Sequence, residues 1–306
     1  MRCAIIVRYV ILISLVLALA GCDTSRIETE QARTDDHEYR SYSRIISLSP
    51  SITETLFALG LGERVVGVTR FCTYPPQASE KQSVGGYLDP SYETMVLLEP
   101  DLVLLLEEHE SVRVYLDRLG IHHATVHNRT IDEIMGTITT IGEICCVVER
   151  ADSLSADIGR RMDGIRGGIP PGPRPRVLVS VGRTMGSGTL TDVYAAGAGT
   201  FYDELIDLAG GENVYSGGSI AYPLLSAEGL LHLNPDIIFD LVPDFEKNGY
   251  DREAVLDEWH SVENVRAVKN SMVFLLTGDY TVIPGPRFIL LLEDVAEIIH
   301  ASVRIP

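Results

Sequence analysis

The sequence is short of basic residues. Its 306 residues hold 25 Lys and Arg against 43 Asp and Glu, which gives a formal net charge of −18 at pH 7. A protein that binds nucleic acid needs a basic surface to face the phosphates, so the composition argues against that class of function. The plainest interpretation of the acidity is a well-solvated surface.

Cysteine is also scarce, with five residues in the chain. Beyond residue 22 there remain Cys72, Cys145 and Cys146. In an oxidising compartment an odd number leaves at least one thiol unpaired. Cys145 and Cys146 lie in an apolar stretch with helical periodicity, which predicts that both are buried. Their spacing is not that of a metal site.

The common catalytic motifs are missing as well. Gly186-Ser187-Gly188 has a glycine on each side of the serine but is not a Gly-x-Ser-x-Gly elbow. Gly60-Leu-Gly62 lacks the third glycine of a dinucleotide-binding turn, and no Walker sequence is present. The sequence therefore predicts that the protein is not an enzyme, with a hydrolase kept as the alternative.

The N-terminus has a distinct composition. Arg2 and Arg8 precede or border an apolar run, residues 9–20, that is too short to span a bilayer comfortably and has the form of a secretory signal. The run leads into Leu19-Ala-Gly-Cys22, which resembles the lipobox of bacterial lipoproteins.

That resemblance implies a signal peptide over residues 1–21 and a lipid on Cys22. Residues 22–43 are polar without apolar periodicity, which predicts a flexible tether. The expected location is the periplasmic or extracytoplasmic face of the cell membrane, with the protein anchored by lipid but not spanning the bilayer.

Two segments of the chain are copies of one pattern. Residues 87–103 and residues 222–238 share Tyr, Ser, Glu, Pro-Asp and an apolar run, with matched residues 135 positions apart. Each copy predicts a short helix with an acid in its first turn, a proline stop and a buried strand. The duplication predicts two similar α/β lobes.

Strands alternate with helices around both copies, which predicts parallel sheets. The expected N-terminal lobe covers residues 44–148, closed by a helix from Ile131 to Val148, and the C-terminal lobe covers 169–306. Apolar residues at steps of three and four predict one connecting helix over 149–168. The predicted fold class is α/β, with two Rossmann-like lobes joined by this helix and a ligand cleft between them.

Four segments resemble the helical-backbone class of ABC-transporter substrate-binding proteins, which take up cobalamin, ferric siderophores or haem. They are residues 45–56, 66–78, 84–87 and 210–214, and the resemblance covers about 44–304. The Tyr-Pro-Pro and Gly-Gly segments look most like the cobalamin-binding branch. The resemblance implies no cofactor of the protein's own, but a transported small molecule, cobalamin or a related corrinoid.

The resemblance also implies a partner, a dimeric ABC permease. In this class one glutamate at the top of each lobe pairs with arginines of the permease, and Glu93 and Glu228 match those positions. An acid in the first turn also stabilises a helix through the helix dipole. That effect would explain either glutamate by itself, but it does not explain why both lobes carry one at the matched position.

For the cleft, the resemblance implies side chains from loops of both lobes. Relatives often have Trp at places where this chain has Tyr, and a family arginine near the last loop is replaced by Ile283. The matching positions are Ser49, Pro50, Phe71, Tyr87, Tyr222, Asp279 and Tyr280.

Several alternatives stay open. Haem would need an axial ligand such as Tyr87 or Tyr280. A ferric siderophore would favour basic residues, for which Arg70, Arg183 and Arg287 are candidates.

A zinc- or manganese-binding relative would use histidines and acids from both lobes. His122, His123 and His127 cluster in the first lobe, but no comparable trio faces them, so no metal site is predicted. A lipid-anchored hydrolase is the alternative from another class.

Overall fold

The computed structural model describes residues 41–304 with the exception of residue 244. The predicted signal peptide over 1–21 and the predicted lipidation site Cys22 lie outside the described residues, as does most of the predicted tether over 22–43. Among the helices described, none combines the length and the apolar character needed to cross a membrane.

The first lobe is built on a five-stranded sheet in the order β3-β2-β1-β4-β5, with every pair parallel. β4 is buried at all five positions, as expected of a strand covered on both faces. The strands are β1 (Ile45–Ser47), β2 (Val65–Val68), β3 (Gln82–Ser83), β4 (Leu102–Leu106) and β5 (His123–Val126). The helices are α1 (Pro50–Ala58), α2 (Tyr92–Leu97), α3 (Glu110–Leu119) and α4 (Ile131–Ile144).

The connecting helix α5 (Val148–Gly167) follows α4 after a sharp turn. We predicted one helix from Ile131 to Val148, but α4 ends at Ile144 and Cys146 takes a left-handed φ of 57°. The chain reverses here so that α5 packs against α4, and the reversal requires a residue outside the helical region. Cys145 is buried as predicted, whereas Cys146 is exposed, so that half of the prediction was wrong.

The second lobe has a sheet in the order β11-β10-β6-β7-β9, with β8 added beside β6. Strands β6, β10 and β11 are mutually parallel, but β7 pairs antiparallel with both β6 and β9, an arrangement that we did not predict. The strands are β6 (Arg176–Arg183), β7 (Asp192–Ala195), β8 (Glu212–Asn213), β9 (Leu224–Ser226), β10 (Ile237–Leu241) and β11 (Val273–Leu276). The helices are α6 (Phe201–Leu208), α7 (Ala227–Leu233), α8 (Arg252–Asp257), α9 (Arg266–Lys269) and α10 (Phe288–Arg304).

The two lobes share one apolar core. A single cluster of buried side chains runs from the first sheet through α4 and α5 to α6 and α10. Polar contacts cross the same boundary: the N–H of Ile131 donates to Glu204 at 2.6 Å, and Arg161 pairs with Glu293 at 2.6 Å. The predicted fold class, two α/β lobes with parallel-strand sheets joined by one long helix, is confirmed.

Candidate ligand-binding cleft

A cavity of about 470 Å³ opens between the lobes, at the carboxyl ends of strands from both sheets. In the first lobe Pro50, Glu108 and Asn128 line it, just after β1, β4 and β5. In the second lobe Phe201 at the start of α6 and Ile283 after β11 line it. Ligands of open α/β sheets usually bind at this edge, so this cavity is the candidate cleft.

The structure brings most of the predicted cleft residues to this cavity. Those that line it are Ser49, Pro50, Phe71, Tyr87 and Tyr222. Their contact with a ligand stays a prediction.

The structure places the other two, Asp279 and Tyr280, away from the cavity. Asp279 accepts hydrogen bonds from the guanidinium of Arg287 at 2.7 and 3.1 Å, which hold its pKa below the usual value. The hydroxyl of Tyr280 donates to Asp294 at 2.6 Å. Both residues begin a 3-10 turn, Asp279–Val282, and their bonds to α10 hold them there while the chain after the turn reaches the cavity. They do not line this cavity, and their contact with a ligand also stays a prediction.

Tyr87 is held firmly in the first-lobe wall. Its hydroxyl donates to the carboxylate of Glu108, and its backbone carbonyl accepts from Nε2 of the buried His109 at 2.8 Å. The second ring nitrogen of His109 accepts the backbone N–H of Leu106 at 3.0 Å, which leaves Nε2 as the donor. Burial and the adjacent Glu108 carboxylate raise the pKa of Tyr87. The phenol is thus fixed in place and stays neutral.

The aromatic side chains elsewhere in the wall are less constrained. Tyr222 is about half exposed and makes no hydrogen bond within the described residues, and its partial burial raises its pKa. Phe71 is also about half exposed, with the guanidinium of Arg70 5.3 Å from its ring centroid. Such rings can reorient against a ligand.

Sequence reasoning missed Glu108, Asn128 and Phe201. Glu108 and Asn128 follow β4 and β5 directly, so the rule that cleft residues follow parallel strands would have found them. Asn128 donates to the hydroxyl of Ser51 at 3.0 Å, which fixes the edge of the cavity. Phe201 gave no such signal, because an apolar residue that opens a helix is usually a core residue.

A larger cavity of about 730 Å³ lies elsewhere, among α1, α5 and the start of α10. One of its charged groups is already paired: Arg287 donates to Glu54 at 2.9 Å and to Asp279, and its guanidinium lies 3.6 Å from the ring centroid of Tyr74. Helices rather than strand ends form its walls. The smaller cavity is therefore kept as the candidate cleft.

Glu93 and Glu228 occupy equivalent places in the two lobes. Each lies in the first turn of a short helix, α2 or α7. The hydroxyl of the N-cap serine accepts a backbone N–H at 3.3 Å in both helices, Ser91 from Thr94 and Ser226 from Gly229. Both glutamates are exposed and form no ion pair or hydrogen bond within the part of the chain that is described. Their docking role stays a prediction.

Two of the three clustered first-lobe histidines lie beside acids. His123 lies 3.0 Å from Asp117, and His127 lies 3.1 Å from Glu107. Over residues 41–304, residue 244 aside, no three His, Cys, Asp or Glu side chains are grouped so as to hold a metal ion.

Comparison with known proteins shows which other proteins this chain is similar to. The profile described as periplasmic binding protein matches residues 45–280. A vitamin B12-binding protein of Vibrio cholerae is 27% identical over 254 residues, which cover 82% of this chain and 87% of that one. An uncharacterized ABC transporter substrate-binding lipoprotein of Bacillus subtilis is 30% identical over 267 residues, 84% of this chain and 80% of that one.

A solved structure is similar over nearly the same span. The periplasmic heme-binding protein RhuT from Roseiflexus sp. RS-1 matches with a TM-score of 0.73 and 25% identity, covering 86% of this chain and 99% of that one. The protein is thus a substrate-binding protein of the ABC type that acts outside the cytoplasm and works with a permease on a small-molecule ligand. The two lobes, the cleft and the match over residues 45–280 agree that the chain belongs to the periplasmic binding protein family.

Proposed function

We propose that this protein captures cobalamin or a related corrinoid and delivers it to an ABC permease. The observation that carries the proposal is that Tyr87 and Tyr222, equivalent residues of the repeated segment, line one cavity from opposite lobes. Aromatic faces bury a large area at low cost in conformational entropy, which suits a wide macrocycle. The vitamin B12-binding relative supports the same ligand class.

Haem is the second candidate, because a structural relative is named for binding it. Haem held through tyrosine needs the phenolate. Glu108 accepts the hydroxyl proton of Tyr87 in a hydrogen bond and raises its pKa, which disfavours the phenolate. Tyr280 is bonded to Asp294 outside the cleft. Both observations favour a ligand that needs no tyrosinate.

An anionic ferric siderophore is less well matched. Of the three arginines considered from the sequence, Arg183 is buried in the second lobe, Arg287 is bonded to Glu54 and Asp279, and Arg70 faces Asp89 at 3.2 Å. None of the three lines the cleft, and Arg129, which does line it, has its guanidinium 3.5 Å from the carboxylate of Glu107.

Delivery requires attachment and docking. In this proposal a lipid on Cys22 anchors the chain, and the segment 22–43 lets the lobes reach the permease. The loaded protein docks through Glu93 and Glu228, which face one basic site on each subunit of a permease dimer. Such pairs steer association and fix register more than they add affinity.

The test is a calorimetric titration of the full chain in detergent with cyanocobalamin, and with haem and a ferric siderophore in parallel. We expect a submicromolar Kd for cyanocobalamin, weakened roughly a hundredfold by Tyr87→Ala with Tyr222→Ala because two aromatic faces are lost. Tyr194→Ala is the matched control, since Tyr194 is equally exposed on β7 but does not line the cleft.

If haem or the siderophore binds and cyanocobalamin does not, that compound replaces cobalamin as the proposed ligand. Binding of none of the three would reject the proposed ligand class.

A further inference from the structure

At the floor of the cleft the two lobes touch directly. Ser51 of the first lobe and Pro284 of the second both line the cavity. The next residue, Gly285, lies so close to Ser51 that a Cβ atom added to the glycine would be 3.2 Å from the Cα of Ser51 and 3.4 Å from its carbonyl oxygen. The lack of a side chain at Gly285 therefore lets the two backbones meet there.

An ion pair between the lobes lies immediately behind this contact. Glu54 stands three residues after Ser51, one turn along α1, and Arg287 stands three residues after Pro284. The guanidinium of Arg287 donates through Nε to one carboxylate oxygen of Glu54 at 2.9 Å and through Nη2 to the other. Of the two side chains, 2% of Glu54 and 13% of Arg287 is exposed. A bidentate pair of this kind fixes orientation as well as distance.

Arg287 is also fixed within its own lobe. It donates to both carboxylate oxygens of Asp279, at 2.7 and 3.1 Å. The ring centroid of Tyr74, a first-lobe residue, lies 3.6 Å from its guanidinium carbon. The arginine is thus bonded to the second lobe on one side and contacts two residues of the first lobe on the other. We call Glu54, Arg287 and Asp279 the interlobe clamp.

We propose that the interlobe clamp positions the floor of the cleft, and that Glu54 and Arg287 thereby control ligand affinity without touching the ligand. Both residues line the larger cavity and not the cleft. The clamp holds residues 283–285 against Ser51, and the first two residues of that segment line the cleft. The inference rests on the proposed function, because it names positioning residues for the same binding site.

A second ion pair between the lobes provides a comparison. Arg161 on α5 pairs with Glu293 on α10 at 2.6 Å, and neither residue lines the cleft. Loss of either ion pair removes an ionic contact across the lobe boundary. Loss of the clamp alone should free the segment 283–285, because Arg287 directly follows that segment and its neighbour Pro286 in the chain. The two pairs therefore separate positioning of the floor from general support of the lobe boundary.

The first measurement is the kinetics of cyanocobalamin binding by the full chain in detergent. Glu54→Gln keeps the shape of the side chain and leaves Arg287 paired with Asp279, so the variant retains a partner for its buried cation. We expect koff to rise about tenfold with kon little changed, because the floor is held less firmly once the ligand is bound. Glu293→Gln is the matched control and should leave both rates within about twofold of wild type.

A second variant changes the floor without changing any charge. In Gly285→Ala the added Cβ would press on the backbone of Ser51, so the two lobes must separate slightly at this point. We expect koff to rise about tenfold here as well. If both changes act through the same contact, the variant that combines Glu54→Gln with Gly285→Ala should show less than the product of the two single effects.

The other measurement needs no ligand. Hydrogen exchange followed by mass spectrometry reports on residues 278–288, where the N–H of Gly285 donates to the carbonyl of Ile283 at 2.8 Å and the N–H of Phe288 donates to the carbonyl of Gly285 at 2.9 Å. In free Glu54→Gln these groups should exchange about tenfold faster, while β10, which lies between β11 and β6, keeps its wild-type rate. Glu293→Gln should change neither segment.

An unchanged koff in Glu54→Gln would overturn the inference, because the floor would then not depend on the clamp. Faster exchange that includes β10 would overturn it too, since the clamp would then support the whole lobe. If the wild-type chain does not bind cyanocobalamin, the proposed ligand is rejected and exchange decides the clamp: faster exchange confined to residues 278–288 supports it, and unchanged exchange overturns it.

Discussion

The strands that follow the two copies of the repeated segment, β4 and β10, place opposite chemistry at one matched position, Leu105 in β4 and Asp240 in β10. Both side chains are fully buried. Leu105 packs within an apolar cluster. Asp240 instead accepts hydrogen bonds from Ser180 at 2.8 Å, Arg183 at 2.9 Å and the indole N–H of Trp259 at 2.9 Å.

The buried charges tie loops of the second lobe to its sheet. Arg183 also pairs with Glu258 and donates to the carbonyl of Val255 at 2.9 Å, and Glu258 accepts the N–H of Gly188 at 3.0 Å. Burial opposes ionisation of Glu258, but these hydrogen bonds outweigh it and hold its pKa below the usual value. One backbone pattern is thus stabilised by apolar packing in one lobe and by a satisfied ionic cluster in the other.

The largest loss of stability should come from removing the cation of that ionic cluster. Arg183→Met leaves Asp240 and Glu258 buried without their cation, and we expect a loss of about 3–5 kcal/mol in the free energy of unfolding. Chemical denaturation monitored by circular dichroism measures it. Arg266→Met is the control, because Arg266 pairs with Asp236 at the surface and should cost about 0–1 kcal/mol. Equal losses in the two variants would mean that the cluster is not a distinct support of the second lobe.

The cleft tyrosines differ in a similar way, since Tyr87 is fixed by Glu108 and His109 whereas Tyr222 is not hydrogen-bonded within the described residues. His109→Leu removes the partners of the Leu106 N–H and the Tyr87 carbonyl, so we expect a loss of about 1–3 kcal/mol in unfolding free energy. Denaturation of the variant checks this.

The control for that prediction is a histidine of the second lobe. His232→Leu changes an exposed side chain on α7 and should stay within about 0.5 kcal/mol of wild type. A His109→Leu variant as stable as wild type would show that the first-lobe wall does not depend on this histidine.

The fold followed from local patterns in the sequence. The repeat indicated the two lobes, and apolar residues at steps of three and four predicted the connecting helix over 149–168, which the structure has as α5 (Val148–Gly167). The antiparallel strands β7 and β9 were missed because each has only three or four residues at the border of the sheet, too few to show an alternation.

The residues of the candidate site could be predicted from the sequence less completely than the fold. Tyr87 and Tyr222 were predicted from the family resemblance, they also begin the two copies of the repeat, and both line the cavity. Asp279 was predicted for the cleft but does not line the cavity, because it is held by Arg287, which is itself bonded to Glu54, 233 residues away in the chain. A pairing across that distance leaves no mark in local spacing.

The smallest loss of stability is expected at the aspartate that stands at the matched position of both copies, Asp101 in the first and Asp236 in the second. Asp101 accepts the backbone N–H groups of Ser43 and Arg44 at 2.8 and 2.9 Å, and Asp236 accepts the N–H of Arg176 at 2.9 Å, so each carboxylate ties the start of its lobe's first strand. Asp101→Asn keeps the shape but removes the charge, and we expect a loss of about 1 kcal/mol at pH 7. Asp236→Asn should cost a similar amount if the two copies are equivalent.

The pH dependence of the Asp101 variant has a defined sign. Partial burial opposes ionisation of Asp101, but the hydrogen bonds from Ser43 and Arg44 outweigh it and hold its pKa below the usual value. A carboxylate with a lowered pKa stabilises the folded state above the pKa of the unfolded chain, about 4, and loses that contribution as the pH falls through the folded value. The stability gap between wild type and Asp101→Asn, measured by denaturation from pH 7 to pH 3, should therefore close on acidification. A gap that stays constant over this range would mean that the carboxylate acts through its shape and not through its charge.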